Sequence, residues 1–367
     1  MGKPERKKKI VFTVINDLTY DQRMQRICST MANEGYEVQL IGRKLPDSKP
    51  LKNQSYIQTR LYCFFKKGFA FYAEYNIRLF FLLLFNSFNI ICAIDLDTLL
   101  PCYHIGKLKG KPIVFDAHEY FTEVPEVVSR PKVKRIWEWI ANTYIPKLKY
   151  CYTVGPMLAE LFAKKYKTSF ATIVNAPVIK PILSEKKEEN VLLYQGALNA
   201  SRGIEHYIDM MPLLPDFKLW LVGEGDLSEA LRTRVKERKV EHQVKFFGKI
   251  EPENLHFITT KAYLGLNVSE NVGLSYYYSL NNKFFDYIHA LLPTIANKFP
   301  EYERMNEQFN VMVFAEANPK SVAEQVKLLA KDKSLYNTLA ENCLKARSVL
   351  NWEEESRKLA GFYANVR

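Results

Sequence analysis

The chain has 367 residues, long for one hydrophobic core and natural for two, with the 47% apolar and 25% charged content of an ordinary soluble globular protein. Its six cysteines are scattered without a C-x-x-C pair, which argues against a zinc site or disulfide framework and suits a reducing cytoplasm. The net charge of +12 is uneven: residues 1–180 carry 28 Lys/Arg against 15 Asp/Glu, a net of +13, and the remainder 24 against 25, a net of −1.

Such asymmetry suggests that the first half faces a polyanion, either a membrane surface or nucleic acid; a merely solvated basic surface accounts for it as well. No nucleic-acid-binding module is recognisable, so nucleic acid is not an expected partner. The N-terminus MGKPERKKKIVF is basic, but its apolar run is short and reads as a strand, not a signal peptide. Gly2 is followed by Arg6, so the myristoylation pattern fails.

Lys9–Ile15 is an apolar run with β-branched residues, hence a buried strand. Asp21–Asn33 has helical spacing and stops before Gly35, and Glu37–Ile41 is the next strand. The segment from Arg60 to Tyr72 mixes cations with aromatics, a composition that suits a surface lying in a membrane interface. A loop and helix edge packed on a sheet is the alternative. Residues 77–94 are the most hydrophobic span and approach the length of a spanning helix. Asn86, Ser87 and Asn89 interrupt it, which favours a core helix running into a strand at Ile90–Ile94. Pro112–Asp116 reads as a strand, Val133–Ile145 as an aromatic-rich helix and Tyr150–Val154 as a strand.

A charged stretch, Ser184–Asn190, reads as a linker, after which the rhythm restarts. Strands are expected at Val191–Gln195, Lys218–Val222, Val244–Phe247 and Ala262–Val268, with helices over Gly203–Met211 and Leu227–Lys239. The fold class is therefore α/β, with two Rossmann-like doubly wound parallel sheets facing a cleft, and ligands beyond the carboxyl ends of the strands. The expected domains are residues 1–183, residues 184–350, and a C-terminal amphipathic helix in 351–367.

Three loops of the second half carry chemistry. Gly196 to Gly203 joins a strand to a helix: exposed N–H groups there attract phosphate, Arg202 adds a guanidinium fork, and Gly203 allows close backbone approach. Gly223-Glu224-Gly225-Asp226 is half of a dinucleotide fingerprint; a nucleotide can sit against it, but no nicotinamide cofactor follows. Between Asn267 and Glu301, a loop and the next helix supply Glu270, Lys283 and Asp286, two carboxylates and a cation able to hold a sugar, a diphosphate and a ribose.

Taken in order, Gly196…Arg202-Gly203, LVGEGD (221–226), FFGKI (246–250), SENVGL (269–274) and NKFFDYIHALLP (282–293) resemble the donor domain of retaining glycosyltransferases of the fourth sequence family, which have the GT-B fold. NDLTYDQRMQRICSTMANEGYEV (16–38), DLDTLLP (95–101) and FDAHEYFTEVPE (115–126) resemble a bacterial polysaccharide-assembly branch of it. The resemblance implies that Glu270 lies by the donor sugar, Asp286 by the ribose hydroxyls, and Arg202 by the diphosphate. Ala197 stands where the family has its other cation, so Lys283 is inferred to supply that charge. Asp286 replaces a Glu, Leu291 replaces a Gly, and Ser275–Asn282 reads as an insertion between the acids.

The resemblance also makes His118 a sugar contact, where the sequence alone reads a hydrogen-bonded loop histidine. The other five histidines (104, 206, 242, 256, 289) need no functional account. Asn16-Asp17 stands where the family often has a glycine pair near the donor, and Arg23 on the first helix is a weaker candidate, a solvated face being the alternative. Asp95-Leu-Asp97 could hold a metal in the other glycosyltransferase fold, but it lies apart from the phosphate loops; a wall or structural role is preferred, and no metal and no cofactor are expected. The implied activity is metal-independent transfer of a sugar, with retention, from a nucleoside-diphosphate sugar, UDP being the family's commonest carrier. The implied acceptor is a glycan or a lipid-diphosphate-linked chain bound by the first domain, the second binding the donor and the C-terminal helix packing back on the first, and the implied place is the cytoplasm, peripheral at the inner face of the membrane. A catalytically idle nucleotide-sugar-binding protein and a nucleotide-sugar epimerase are the rivals.

Overall fold

The computed structural model describes residues 7–19, 21–183, 187–188 and 190–367. The N-terminal MGKPER and most of the expected linker Ser184–Asn190 lie outside the described residues. The chain divides into two compact units, Met1–Asn175 with Glu354–Arg367, and Ala176–Glu353.

In the first unit, seven strands form one parallel sheet: β1 (Lys9–Thr13), β2 (Glu37–Lys44), β3 (Ile57–Tyr62), β4 (Ile90–Ile94), β5 (Ile113–Ala117), β6 (Tyr150–Thr153) and β7 (Phe170–Thr172). Their order is β3-β2-β1-β4-β5-β6-β7, so the direction of winding reverses between β1 and β4. Inner strands β4 and β5 are buried at every residue; β4 accordingly reads as an unbroken apolar run, and β5 as one broken only by Asp116. The helix Gln22–Asn33 starts where Asp21 accepts from Met24 N, and buries Met24, Ile27, Cys28 and Met31. The hydrophobic helix runs over Gly68–Phe85, earlier than expected, and is not a core helix: only Phe71, Tyr75, Leu79 and Leu83 are buried. After β4 the chain makes a helical turn, Leu96–Thr98, that opens a helix Leu99–Leu108.

The second unit repeats the plan with six parallel strands: β8 (Val191–Gln195), β9 (Lys218–Val222), β10 (Val244–Gly248), β11 (Leu264–Asn267), β12 (Thr294–Ala296) and β13 (Met312–Phe314). The order β10-β9-β8-β11-β12-β13 puts its reversal between β8 and β11. These two strands pair over only two positions, Leu264 with Leu192 and Gly265 with Leu193. The Tyr287 hydroxyl fills the splay beyond them, within reach of Leu193 O (3.1 Å) and Leu266 O (3.3 Å) while accepting from Gln195 N (3.3 Å). Gly265 makes room for the ring, since a Cβ there would lie 2.5 Å from Tyr287.

The units part at 175/176 and 353/354, where the composition suggested 183/184 and 350/351. Hydrogen bonds set the division. Asn175 accepts from Arg26 (2.5 Å) and Val174 N donates to Glu355 (2.7 Å) in the first unit. Pro177 O accepts from Trp352 N (2.8 Å) and Pro181 O faces His256 (3.2 Å) in the second. The C-terminal helix Trp352–Ala364 ends in the first unit, with Tyr363 against Phe12 (5.9 Å) and Phe362 against Tyr152 (5.2 Å).

Candidate functional site

The strongest site candidate lies at the β8/β11 reversal of the second unit, where an open parallel sheet leaves a crevice at its carboxyl edge. Three glycines make the surrounding loops dense. Gly203 has φ 74°, and a Cβ on it would lie 2.1 Å from Val268 O. Gly223 has φ 140°, and its Cβ would lie 1.9 Å from Gly196 O; Gly225 packs equally closely on Asn199. The glycines thus let loop meet loop. The close approach expected of Gly203 is to the Val268 backbone, and its helix, Ile204–Asp209, is only six residues long. Glu270 N donates to Ser201 O (3.0 Å), tying the loop after β11 to the loop after β8.

Two cations stand at this junction. Arg202 is half-buried, its guanidinium 4.8 Å from the Tyr276 ring, and its Nε is buried without a hydrogen bond. The stem of Lys283 passes 3.6 Å from the Cβ position of Gly196, and its ammonium lies 4.3 Å from the Tyr194 ring. Burial, and then the charge of Arg202, push the Lys283 ammonium down to about 7. Among the described residues neither cation makes an ion pair. Aromatic faces hold both without neutralising them.

The helix Asn282–His289 sets Lys283 and Asp286 three residues apart, on neighbouring positions of one face. Asn281 caps it by accepting from Phe284 N, and donates its amide to Asn267 (2.8 Å). Phe284, Phe285 and Ile288 bury the other sides of the helix, and Tyr287, one turn on from Lys283, is buried as well. Asp286 accepts from Gln195 Nε2 (2.9 Å), and Gln195 Oε1 accepts from Thr259 (2.8 Å), so the last residue of β8 orients the carboxylate. The sequence reading missed Gln195; its place at the end of a strand was the available signal. The Ser275–Asn282 insertion folds as a helical turn, Leu274–Tyr277, pinned by Tyr277 on Phe299 (5.3 Å), and it delivers Tyr276 to Arg202.

Glu270 is 43% exposed, with His206 Nε2 3.6 Å from its carboxylate. His206, dismissed from sequence, therefore belongs to this site; only the fold brings it to Glu270. Beyond Glu270, Asn297 accepts from Ser269 N (2.6 Å) at the mouth of an open cavity of about 790 Å³ that Asn271, Lys298 and Lys320 also line.

The remaining candidates lie in the first unit. His118 follows β5. Its Nε2 is 3.0 Å from Asp116, its Nδ1 3.6 Å from Asp95, and its backbone N donates to Asp95 (2.8 Å). Burial alone would disfavour the imidazolium; Asp116 and then Asp95 outweigh it and lift the group to about 9. Both ring nitrogens thus turn to carboxylates. Asp95 holds its place at φ 54°, ψ −177°, a region costing a non-glycine residue about 1–3 kcal/mol. Burial raises its carboxyl to about 6. Asp97 is buried and pushed well up, by burial first and Asp95 second. Arg23 is not on a solvated face: it is 5% exposed and pairs with Asp116 at 3.0 Å. Asn16 donates to Asp21 (2.6 Å), and Asp17 is committed to Arg60 (3.1 Å), Ser48 and Thr19. Among the described residues no group of three His, Cys, Asp or Glu is arranged to hold a metal.

Two parallel α/β sheets of this order, each with its winding reversal, are those of the GT-B fold. Residues 175–346, the second unit almost entire, match the family model described as glycosyl transferases group 1. Sucrose-phosphate synthase of Thermosynechococcus elongatus superposes with a TM-score of 0.79 at 15% identity, over 98% of each chain. HepE of Anabaena, in complex with UDP-glucose, gives 0.77 at 13% identity over 98% of this chain and 100% of its own. WaaG, a glycosyltransferase involved in lipopolysaccharide biosynthesis, gives 0.74 at 16% identity over 97% and 100%. These similarities show the fold. No curated protein sequence matches the chain.

Proposed function

We propose that the protein is a retaining, metal-independent glycosyltransferase. It moves a sugar from a nucleoside-diphosphate sugar, UDP-linked, to a glycan or lipid-linked acceptor in cell-surface polysaccharide assembly. The observation that carries this reading is the pair Arg202 and Lys283, lacking a carboxylate counter-ion among the described residues, with Glu270 and Asp286 beside them. Two cations packed against aromatic rings repel one another and await a dianion. The match over 175–346 and the UDP-glucose complex of HepE support a sugar diphosphate as that dianion.

In this reading the second unit holds the donor: Asp286 the ribose, Arg202 and Lys283 the diphosphate, Glu270 the sugar, with the 196–203 and 223–226 loops shaping the nucleotide seat. Departure of the nucleoside diphosphate concentrates charge on the leaving phosphate. Preorganised cations stabilise that charge where it develops; removing one such donor costs about 10²–10³ in turnover. The first unit takes the acceptor, with His118 oriented by Asp116 and Asp95. Its Nε2 is held by Asp116 at 3.0 Å, whereas Nδ1 lies 3.6 Å from Asp95, outside hydrogen-bond distance, so Nδ1 is the ring nitrogen open to a sugar hydroxyl.

A thermal-shift screen across UDP-, GDP- and ADP-sugars, followed by product analysis with and without a glycan acceptor, tests the proposal. Stabilisation by UDP-sugars and acceptor-dependent UDP release, insensitive to EDTA, are expected. Stabilisation without turnover makes the protein a binder, and donor isomerisation without acceptor makes it an epimerase.

A further inference from the structure

The helix Gly68–Phe85 has a face that sugar transfer does not use. Among the described residues it is the one helix long and apolar enough to cross a bilayer, with a mean hydropathy of 1.3, yet only 22% of it is buried. Phe71, Tyr75, Leu79 and Leu83 form its buried stripe, and Tyr75 donates to Val14 O (2.7 Å). The opposite face is apolar too. Phe69, Ile77, Phe81 and Phe85 follow along it and are 78%, 58%, 54% and 84% exposed. Phe64 and Phe65, just upstream, are 71% and 56% exposed. A contiguous aromatic ridge of this kind marks an interaction surface rather than scattered apolar exposure.

The chain around the ridge is basic. From Ser48 to Ile94 the cations are Lys49, Lys52, Arg60, Lys66, Lys67 and Arg78, and the single acid is Glu74. Glu74 is engaged locally, accepting from Phe64 N and Phe65 N (3.0 Å each) and pairing with Arg78 (2.8 Å). Lys66 and Lys67 are exposed at the start of the helix. At its far end Lys109 donates to Asn86 O (2.6 Å), which brings exposed Lys107 and Leu108 to the same end.

We infer that this ridge lies in the surface of an anionic lipid membrane, with the helix axis in the membrane plane. The exposed rings enter the headgroup–acyl boundary and the lysines reach lipid phosphates. Crossing is disfavoured, because a spanning helix would surrender the four buried side chains and the Tyr75 hydrogen bond. A second copy of the chain is the poorer occupant, because a two-fold contact would oppose like-charged rims. The inference does not depend on the donor site; together with the transferase reading, on which this last point rests, it brings the first unit to the layer that holds a lipid-linked acceptor.

Flotation of the full chain with phosphatidylcholine vesicles, with and without roughly one third phosphatidylglycerol, tests it. Binding to the anionic vesicles only, weakened by salt, is expected. Phe81→Ser with Phe85→Ser should reduce partitioning about tenfold or more, and Lys66→Gln or Lys67→Gln about fivefold each. Phe81→Trp should shift its emission to the blue on vesicles. The substituted positions are exposed, so unfolding midpoints and UDP-sugar thermal shifts should not change, which separates this outcome from failure of the transferase reading. Absence of flotation on anionic vesicles at low salt overturns the inference. So does flotation indifferent to Phe81→Ser with Phe85→Ser, and so does a concentration-dependent dimer dissolved by those substitutions.

Discussion

Binding of a nucleoside-diphosphate sugar above neutral pH is expected to draw a proton onto Lys283. In the free protein, burial and Arg202 hold its ammonium at about 7, so at pH 8 only about a tenth of the molecules carry the charge. A diphosphate between the two cations supplies opposite charge to both and returns Lys283 toward its ordinary value of 10.5. Binding at pH 8 should then take up about 0.9 proton, and at pH 6 about 0.1. Affinity should fall about tenfold for each pH step above 8 until the bound-state value is reached.

Calorimetry of UDP-sugar binding in buffers of different ionisation enthalpy reads the proton count directly. Lys283→Arg should retain binding with no proton uptake, since a guanidinium stays charged. Lys283→Met should weaken binding at pH 7 and lose most of that difference at high pH. The stability sign runs the other way. Between about 7 and 10.5 the unfolded chain holds a proton that the folded chain lacks, so stability of the free protein rises across that window. Lys283→Met should therefore stabilise the free protein below pH 7, by about 1–3 kcal/mol. Proton uptake of zero at pH 8 in the wild type, with affinity flat from pH 7 to 9.5, would refute the reasoning.

Asp116→Asn removes the carboxylate facing both Arg23 and His118, and should cost about 3–5 kcal/mol in urea unfolding. Because His118 is lifted from 6.5 to about 9, its contribution is complete below 6.5 and disappears as pH rises through 9; the stability gap between wild type and variant should narrow across that window. Gly203→Ala places a Cβ 2.1 Å from Val268 O at φ 74°, and should lower stability by about 1–3 kcal/mol and weaken UDP-sugar binding as the two loops separate. Tyr276→Leu removes the ring over Arg202 and should weaken UDP-sugar binding between about twofold and thirtyfold, with Tyr276→Phe close to wild type; equal affinity in Tyr276→Leu would dismiss the ring as a support.

Strands buried on both faces were legible where every residue in them is apolar, as in Ile90–Ile94. Ile57–Tyr62 was not, because an edge strand with half-buried side chains lacks that signature. Thr294–Ala296 and Met312–Phe314 are three residues each, too short for periodicity to register. Arg23 looked like a solvated helix residue because its partner lies 93 positions away. His206 looked idle because Glu270 reaches it only across the β8/β11 reversal. The glycine spacings were visible, but not their cause, since the Val268 and Gly196 carbonyls are tertiary neighbours.

The Ser275–Asn282 stretch shows most clearly what spacing alone omits. In sequence it separates Glu270 from Asp286 by sixteen positions and puts their cooperation in doubt. In the fold, a helical turn and the Asn281 cap take up the added length, while the Ser201–Glu270 backbone bond anchors the acid at the other end. The added residues also change the electrostatics. A carboxylate beside Arg202 would have quenched the charge that a diphosphate needs. The Tyr276 ring holds the guanidinium in place and leaves that charge available, and the Tyr194 ring packs in the same way on the Lys283 head. Under the proposed donor role, an insertion that reads as damage to a motif becomes part of the anion site, and the same role accounts for Arg202 Nε being buried without a protein acceptor.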